Sequence, residues 1–594
     1  MTTEKATAAS IARADYPRPQ FMRKAWSCLN GEWEFQFDDA CIGEEEKWYS
    51  TERLTAFSRK IQVPFAFQSP LSGIGDPSFH DIVWYRRSFE VPADWKGKRI
   101  VLHFGAVDYS AKVWVNGNLV ATHEGGHTPF QADITSALAD NDNWVVVRAE
   151  DFSRDVSLPR GKQYWKEQSA SIFYTRTTGI WQSVWLEPVS RVHLSRIRLT
   201  PDIDRNEIRV RAFLEGLRSS EELTLEVSVT YQGKLVAEDR YGIRQNEAMR
   251  TIGLNDFFEH GMGRLWSPEH PHLYDIHLRL LRGEESLDEV VSYFGMRKVS
   301  IEGGKLCLNN HPYFQRLVLD QGYFPDGVLT PPSDEAIQKD IELAKALGFN
   351  GVRKHQKTED PRFLYWCDRM GLLVWSEAAN AYAYSESYVR RFTREWQEII
   401  ERDYNHPCIV TWVPLNESWG VPNVQVDERQ QQHGLAMVHL TKSLDGSRPV
   451  VYNDGWEHMT TDLLTIHDYE SRQEVLEARY ASVESVTSSM PSNRRLFVGG
   501  AAYESQPILV SEFGGIAFKK SEWEGWGYSG AENEEEFLQK LEAVVRPMFD
   551  SPVVQGYCYT QLTDVEQEIN GLLTYDRQPK APLEAIRRIM EGRK

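Results

Sequence analysis

Two glutamates sit where the surrounding pattern makes a carboxylate a reagent rather than a surface charge. Ile409-Val-Thr-Trp-Val413 is an apolar run of the kind buried on both faces of a parallel sheet, and it gives way abruptly to Asn416-Glu417, then Trp419 and Gly420. Pro507-Ile-Leu-Val-Ser511 repeats the design, ending on Glu512, with Gly514 and Gly515 to turn the chain. One carboxylate at a strand end is as readily a salt-bridge partner as a reagent. Two such strands supply two carboxyl groups able to flank one bond, which is what glycoside hydrolysis requires.

The elements that must hold this pair follow from the patterning after residue 312, where apolar strand runs alternate with helical periods. Eight strands are expected, at 314–319, 350–353, 372–376, 409–415, 450–453, 463–466, 507–511 and 553–559. Ser333-Asp-Glu335 reads as a helix N-cap, with Ile337, Ile341, Ala344 and Leu347 as the apolar face and Gly348 as the stop. A second helix carries Phe363, Leu364, Cys367 and Met370 and stops at Gly371. Eight strands with intervening helices predict a C-terminal (β/α)8 TIM barrel over residues 301–594. Polar residues cluster at the strand C-termini, where such a barrel puts its site: Asp320, Arg353, Glu377, Glu417, Asn453 with Asp454, His467 with Tyr469, Glu512, and Gln561 with Asp564.

Ahead of the barrel the period is two. Residues 1–16 read as a mobile leader. Short alternating strands then predict a jelly-roll sandwich, giving a first domain over 1–187, with Asn116-Gly117 as a hairpin turn. Stricter alternation, as in Leu223-Thr-Leu-Glu-Val-Ser-Val229, predicts an immunoglobulin-like β-sandwich over 188–300.

A chain of 594 residues exceeds one core, in keeping with three domains. Its net charge of −19 argues against nucleic acid or an anionic membrane as the main partner, and no run is long enough to span a bilayer. Met1 to Arg13 lacks the apolar core of a secretory signal. The six cysteines lack metal or redox spacing, and Cys367, Cys408 and Cys558 read as buried thiols, so a cytoplasmic setting is expected.

These residues together amount to a resemblance. The chain resembles glycoside hydrolase family 2, which includes β-galactosidases and β-glucuronidases, over nearly its whole length. The resemblance rests on Leu29-Asn-Gly-Glu-Trp33, Tyr85-Arg-Arg-Ser-Phe89, Val113-Trp-Val-Asn-Gly117, Gly179-Ile-Trp-Gln-Ser-Val184, Phe294-Gly-Met-Arg297, Asn350-Gly-Val-Arg353, Trp412 with Asn416-Glu417, and Ser511-Glu512-Phe-Gly514. It implies that Glu417 is the general acid/base and Glu512 the nucleophile. Asn416 would bind the sugar hydroxyl beside the anomeric carbon, Tyr469 would hydrogen-bond the nucleophile, and Arg353 would keep that carboxylate charged. Glu417, near a second carboxylate, should have a raised pKa. For Arg353 the alternative is an ion pair that only braces the barrel mouth, and for Tyr469 an ordinary rim aromatic.

Departures from the family pattern concern the sugar. The motif after the second strand is here Arg353-Lys-His355-Gln-Lys357; the Asn-x-Lys that grips a glucuronate is replaced by Glu568-Ile-Asn570; a magnesium-serving His-Glu is here Asp320-Gln321; the first domain's sugar-binding Asp is replaced near Phe173. Asp320, Gln321, Asp564 and Glu566 are candidate acceptors for sugar hydroxyls, with His355 and Gln561 beside them. Trp523, Trp526 and Tyr528 are candidate stacking surfaces. The resemblance therefore implies an exo-acting retaining β-glycosidase on galacto-configured sugars, with no metal, no other cofactor, and a possible homo-oligomer. A uronidase, with Lys354, Lys357, Lys519 or Lys520 as its cation, and a non-catalytic carbohydrate-binding protein are the competing readings.

Overall fold

The computed structural model describes residues 11–50, 57–218, 221–254, 264–520 and 524–593. The first part is a sandwich of two antiparallel sheets. Six strands lie in the order Arg59–Val63, Gly31–Phe37, Ile82–Phe89, Asn143–Glu150, Ser110–Val115 and Asn118–Glu124. They face a four-stranded sheet of Ser27–Cys28, Val184–Val189, Arg99–Phe104 and Phe130–Asp133. Asn116 and Gly117 take φ of 49° and 82°, the paired left-handed geometry of a two-residue hairpin turn. A second sandwich packs three strands (His193–Asp202, Glu207–Glu215, Glu247–Gly253) on four (Lys234–Ile243, Leu223–Tyr231, Tyr274–Arg282, Glu285–Phe294). Its alternating side chains, Leu225, Val227 and Val229 among them, meet in one core.

The barrel strands are β1 (Gln315–Asp320), β2 (Gly351–Lys354), β3 (Leu373–Glu377), β4 (Ile409–Val413), β5 (Leu464–Asp468), β6 (Ile508–Gly514) and β7 (Val554–Thr560). They form one parallel sheet in the order β4, β3, β2, β1, β7, β6, β5. The helices are α1 (Asp334–Ala346), α2 (Pro361–Met370), α3 (Glu386–Asp403), α4 (Glu428–Leu444), α5 (Gln473–Arg479), α6 (Val483–Ser488), α7 (Glu534–Asp550) and α8 (Leu583–Met590). Ser333 caps α1 through the Ala336 amide, as its sequence predicts.

Seven of the eight expected barrel strands form regular ladders; the one expected at 450–453 does not. The segment 449–455 nevertheless bridges β4 and β5. Val451 N donates to Trp412 O at 3.0 Å on one side, and His467 N donates to Gly455 O at 3.3 Å on the other. The expected helix between this segment and β5 is absent, because too few residues remain for one. The segment's side chains are spent elsewhere: Asn453 Oδ1 accepts from Ser418 N at 2.9 Å, and Asn453 Nδ2 donates to Trp456 O at 2.7 Å. It is a brace for the turn after β4 as much as a strand.

One further expectation changes in part; residues 1–10 of the expected leader lie outside the described residues. Residues 11–16 are not a loose leader: Arg13 is buried and spans the N-termini of two barrel helices, Nη1 to Asp334 at 3.1 Å and Nη2 to Asp360 at 2.8 Å. The first sandwich also reaches into the barrel mouth, where Gly161 N donates to Asn380 O at 2.9 Å and a Cβ at Gly161 would lie 2.0 Å from Gln356 O. Cys367, Cys408 and Cys558 are buried free thiols, as expected. Among the described residues no helix is long and apolar enough to cross a membrane.

Removing one partner of a buried ion pair strands the other charge. Arg13→Ala is therefore expected to cost about 3 kcal/mol of barrel stability, read by urea unfolding; a loss under 1 kcal/mol would show the clamp to be idle.

Candidate active site

The site is organised by Arg353 at the end of β2. Its guanidinium is wholly buried. Nε donates to Glu377 Oε2 at 2.7 Å, Nη1 to Glu512 Oε1 at 2.8 Å, and Nη2 to Asn416 Oδ1 at 2.6 Å. Nη1 also lies 2.9 Å from Asp454 Oδ2. Tyr469 Oη donates to the other oxygen of Glu512 at 2.5 Å. Both Glu512 oxygens are thus fixed, one by a cation and one by a phenol.

Glu417 lies beyond β4, in a turn where Glu417 and Ser418 both have left-handed backbones, φ 50° and 61°. That conformation costs a residue with a side chain about 1–3 kcal/mol and needs surrounding bonds to hold it. Glu417 N donates to Asp454 O at 3.0 Å, and Ser418 Oγ donates to Glu457. The carboxylate, a fifth exposed, approaches Glu512: one oxygen of each and a ring nitrogen of His467 all lie within 4.8 Å of one another. Among the described residues Asn416 Nδ2 is a buried donor without a partner, free for a ligand oxygen.

His467, expected only as one of the polar residues at the strand ends and given no role there, lies between the two carboxylates. Nδ1 is 2.8 Å from Glu417 Oε1, and Nε2 is 3.2 Å from Asp454 Oδ2. Burial disfavours its charged form, but Glu512 and Asp454 outweigh that and raise its pKa to about 10. For Glu417 burial also pushes the pKa up, yet the His467 hydrogen bond and the charges of His467, Lys162 and Arg353 carry it below the ordinary value. The expected raised pKa is therefore not found, because the sequence did not show a cation at bonding distance.

The candidate sugar contacts divide. Asp320 is held by Lys354 at 2.8 Å and Asp564 by Lys580 at 2.6 Å, all buried, so each carboxylate already carries an ion pair. Gln561 sits in an amide chain, accepting from Gln321 Nε2 and donating to Asn570 Oδ1, each at 2.8 Å. Asn570 in turn donates to Glu568 at 3.0 Å. His355 Nδ1 lies 3.1 Å from Glu377 and 3.8 Å from Glu512, with its pKa driven down by burial and then by Lys162. Glu566 accepts from Thr175 N at 3.1 Å, joining a barrel loop to the first sandwich. Trp526 Nε1 donates to Ser171 O at 3.1 Å, and Tyr528 stacks on Tyr469 at 3.4 Å; Trp523 lies outside the described residues.

Reasoning from the sequence also missed Lys162. It comes from the first sandwich, is buried, and lies 5.1 Å over the Trp419 ring. Its charge acts on Glu417, Glu568 and His355, yet among the described residues it forms no ion pair. Phe173 packs on Trp419 at 5.4 Å, and Tyr174 Oη donates to Glu568 at 2.5 Å. No periodicity marks such loop residues, and only their approach in space reveals them.

With this geometry in hand, family models match three consecutive pieces of the chain. They are the sugar binding domain of glycosyl hydrolases family 2 over residues 26–187, glycosyl hydrolases family 2 over 192–297, and that family's TIM barrel domain over 332–593. The chain belongs to glycosyl hydrolases family 2. Its relatives include a beta-galactosidase of Thermoanaerobacter pseudethanolicus, 28% identical over 63% of this chain and 49% of that one. A beta-glucuronidase of Rattus norvegicus is 26% identical over 82% of this chain and 77% of that one. The match thus spans about half of the galactosidase's length. Among solved structures, the b-glucuronidase from Ruminococcus gnavus in complex with D-glucuronic acid shares the fold, with a TM-score of 0.79 at 22% identity over 98% of this chain and all of that one.

The electrostatics of the site make a pH prediction. His467 has a folded pKa of about 10 against an ordinary 6.5, so its charge stabilises the fold fully below pH 6.5, and that contribution is lost as pH rises through 10. The melting-temperature gap between the native chain and His467→Gln is expected to narrow between pH 6 and 10; a constant gap would contradict it.

Proposed function

We propose that this chain is an exo-acting retaining β-glycosidase in which Glu512 is the nucleophile and Glu417 the acid/base. The observation that carries the reading is the approach of the two carboxylates within 4.8 Å, oxygen to oxygen. Retaining pairs stand about 5–5.5 Å apart and inverting pairs about 6.5–9.5 Å, because an inverting site must admit a water. Arg353 and Tyr469 each hydrogen-bond one oxygen of Glu512 and so orient it, and Asn416, whose Oδ1 accepts from the same guanidinium, has its Nδ2 unpaired among the described residues. The wall formed by the first sandwich, joined to the barrel through Tyr174, Thr175 and Ser171, suits a terminal sugar rather than a continuous chain.

For the sugar, Glu568 in place of the uronate-gripping motif supports a neutral galacto-configured residue, since a buried carboxylate repels another. One observation favours a uronide: the ammonium of Lys162, which forms no ion pair among the described residues. The four lysines considered from the sequence do not serve that reading. Lys354 and Lys357 are tied to Glu359 at 2.7 and 2.9 Å, and Lys519 and Lys520 face Glu524 and Glu534. Lys354 also occupies Asp320, the position that would serve magnesium, so activity should survive EDTA.

Glu512→Gln is expected to abolish turnover for every leaving group, whereas Glu417→Ala should spare the first step for acidic phenols, with azide rescuing the second. Proton NMR should find the first-formed sugar with its anomeric configuration retained; an inverted anomer would refute the mechanism.

A panel of nitrophenyl glycosides decides the sugar. Galactoside turnover should exceed glucuronide and galacturonide turnover, and Glu568→Gln should slow the galactoside roughly tenfold or more, the scale of one lost hydrogen bond to a charged group. Faster turnover of a uronide, lost on Lys162→Ala, would establish the second reading instead.

A further inference from the structure

The candidate acid/base does not hang free in the barrel mouth. His467 Nδ1 lies 2.8 Å from Glu417 Oε1, while Nε2 lies 3.2 Å from Asp454 Oδ2 and 3.5 Å from Glu512 Oε1. The ring is fully buried, set across Trp456 at 5.5 Å and beneath Gly455, where an added Cβ would meet it at 2.7 Å. Asp454 is itself immobilised by Arg353 at 2.9 Å and by Ser511 Oγ at 2.7 Å. The charged and titratable groups facing His467 are Glu417 from the turn after β4, Asp454 from the segment 449–455, Glu512 from β6 and Arg353 from β2. Arg353 Nη1 lies 3.5 Å away, and His355 from the end of β2 and His458 are within electrostatic reach. An imidazole with a carboxylate at each nitrogen satisfies both only when both nitrogens carry protons.

We propose that His467, anchored by Asp454, is a positioning residue for the acid/base, fixing Glu417 through Nδ1 and sharing with it the proton that the departing oxygen receives. The inference rests on the reading of Glu417 as acid/base. In the first step a Glu512 oxygen forms a bond to the anomeric carbon as the glycosidic C–O bond breaks. The bonding pair leaves with the departing oxygen, which takes one proton from the Glu417–His467 pair. The pair is then one proton short, and Glu512, now an ester, has lost its negative charge. In the second step water bonds to the anomeric carbon, the ester bond's electrons return to Glu512, and the water's proton restores the pair. The electrostatics agree with this sharing, since Glu417 is pushed down and His467 up from their ordinary values.

The test compares the native chain with His467→Gln on aryl glycosides of graded leaving-group acidity, each across pH. The alkaline limb of kcat/KM is expected to move at least one unit lower in the variant, where the essential proton belongs to a lone carboxyl. Poor leaving groups should slow by about 10²–10³-fold, the usual worth of a positioned acid. The dinitrophenyl glycoside should keep its burst within about threefold, since it needs no acid, and that burst also shows the variant folded with Glu512 working. An equal loss for all leaving groups with an unmoved limb would overturn the proposal and leave His467 a packing residue.

Nitrogen-15 NMR of histidine-labelled protein tests the sharing without substrate. Both ring nitrogens of His467 should remain protonated through pH 8, and Glu417→Gln should lower the midpoint by at least one unit. A neutral His467 at pH 7, or one indifferent to Glu417→Gln, overturns the proposal. Failure of the glycosidase reading would appear separately, as absence of turnover by the native chain on every β-glycoside.

Discussion

One buried guanidinium holds this site together. Arg353 touches Glu377, Asp454, Glu512 and Asn416 at once, each from a different strand or strand end. Three carboxylates around one cation are unstable on Coulombic grounds unless more positive charge is brought in or a proton is kept. Both remedies are present. Burial and Asp454 push Glu377 towards its protonated form against the pull of Arg353, and His467 is driven towards imidazolium. Arg353 is therefore more than a brace of the barrel mouth, because its charge bears on the ionisation of Glu377, Asp454 and Glu417.

That cluster also explains the irregular wall. A regular strand at 450–453 would commit its backbone to two neighbours and point alternate side chains inward. Instead Asn453 and Asp454 use both backbone and side chain to secure Asn416, Glu417 and Ser418. The left-handed pair at 417–418 is costly, and it persists because the adjoining segment over-determines it. The barrel gives up ladder regularity at one position to aim one carboxylate.

Much of this was legible in the sequence, and the boundary of legibility is physical. The switch from period two to alternating strand and helix reports burial, so the two sandwiches and seven barrel strands were readable. Glu417 and Glu512 were readable because buried apolar runs deliver them, and Arg353 and Tyr469 because they share the same strand ends. Partners across space were not readable. Asp320 and Asp564 resemble free acceptors until Lys354 and Lys580 are seen against them, and His467 reads as one more polar strand-end residue until it is found between two carboxylates. Arg13 sits in a polar stretch with no periodic signal, and only its two aspartates show that the leader is stitched down from there.

The same division separates chemistry from specificity. Of the two glutamates proposed for the reaction, Glu512 stands within β6, and Glu417 stands just beyond β4, where the segment 449–455 holds it. Groups in a position to recognise the rest of the sugar, Lys162, Phe173, Tyr174, Trp526 and Glu568, stand on loops from two domains and fix one another by contact. A change in the sandwich loop therefore alters the pocket without touching the catalytic strands. Lys162 shows what such a wall can carry. Its side chain is largely buried, it forms no ion pair among the described residues, and its charge bears on Glu417 and Glu568. A loop of one domain thus sets the electrostatics beside a carboxylate delivered by another.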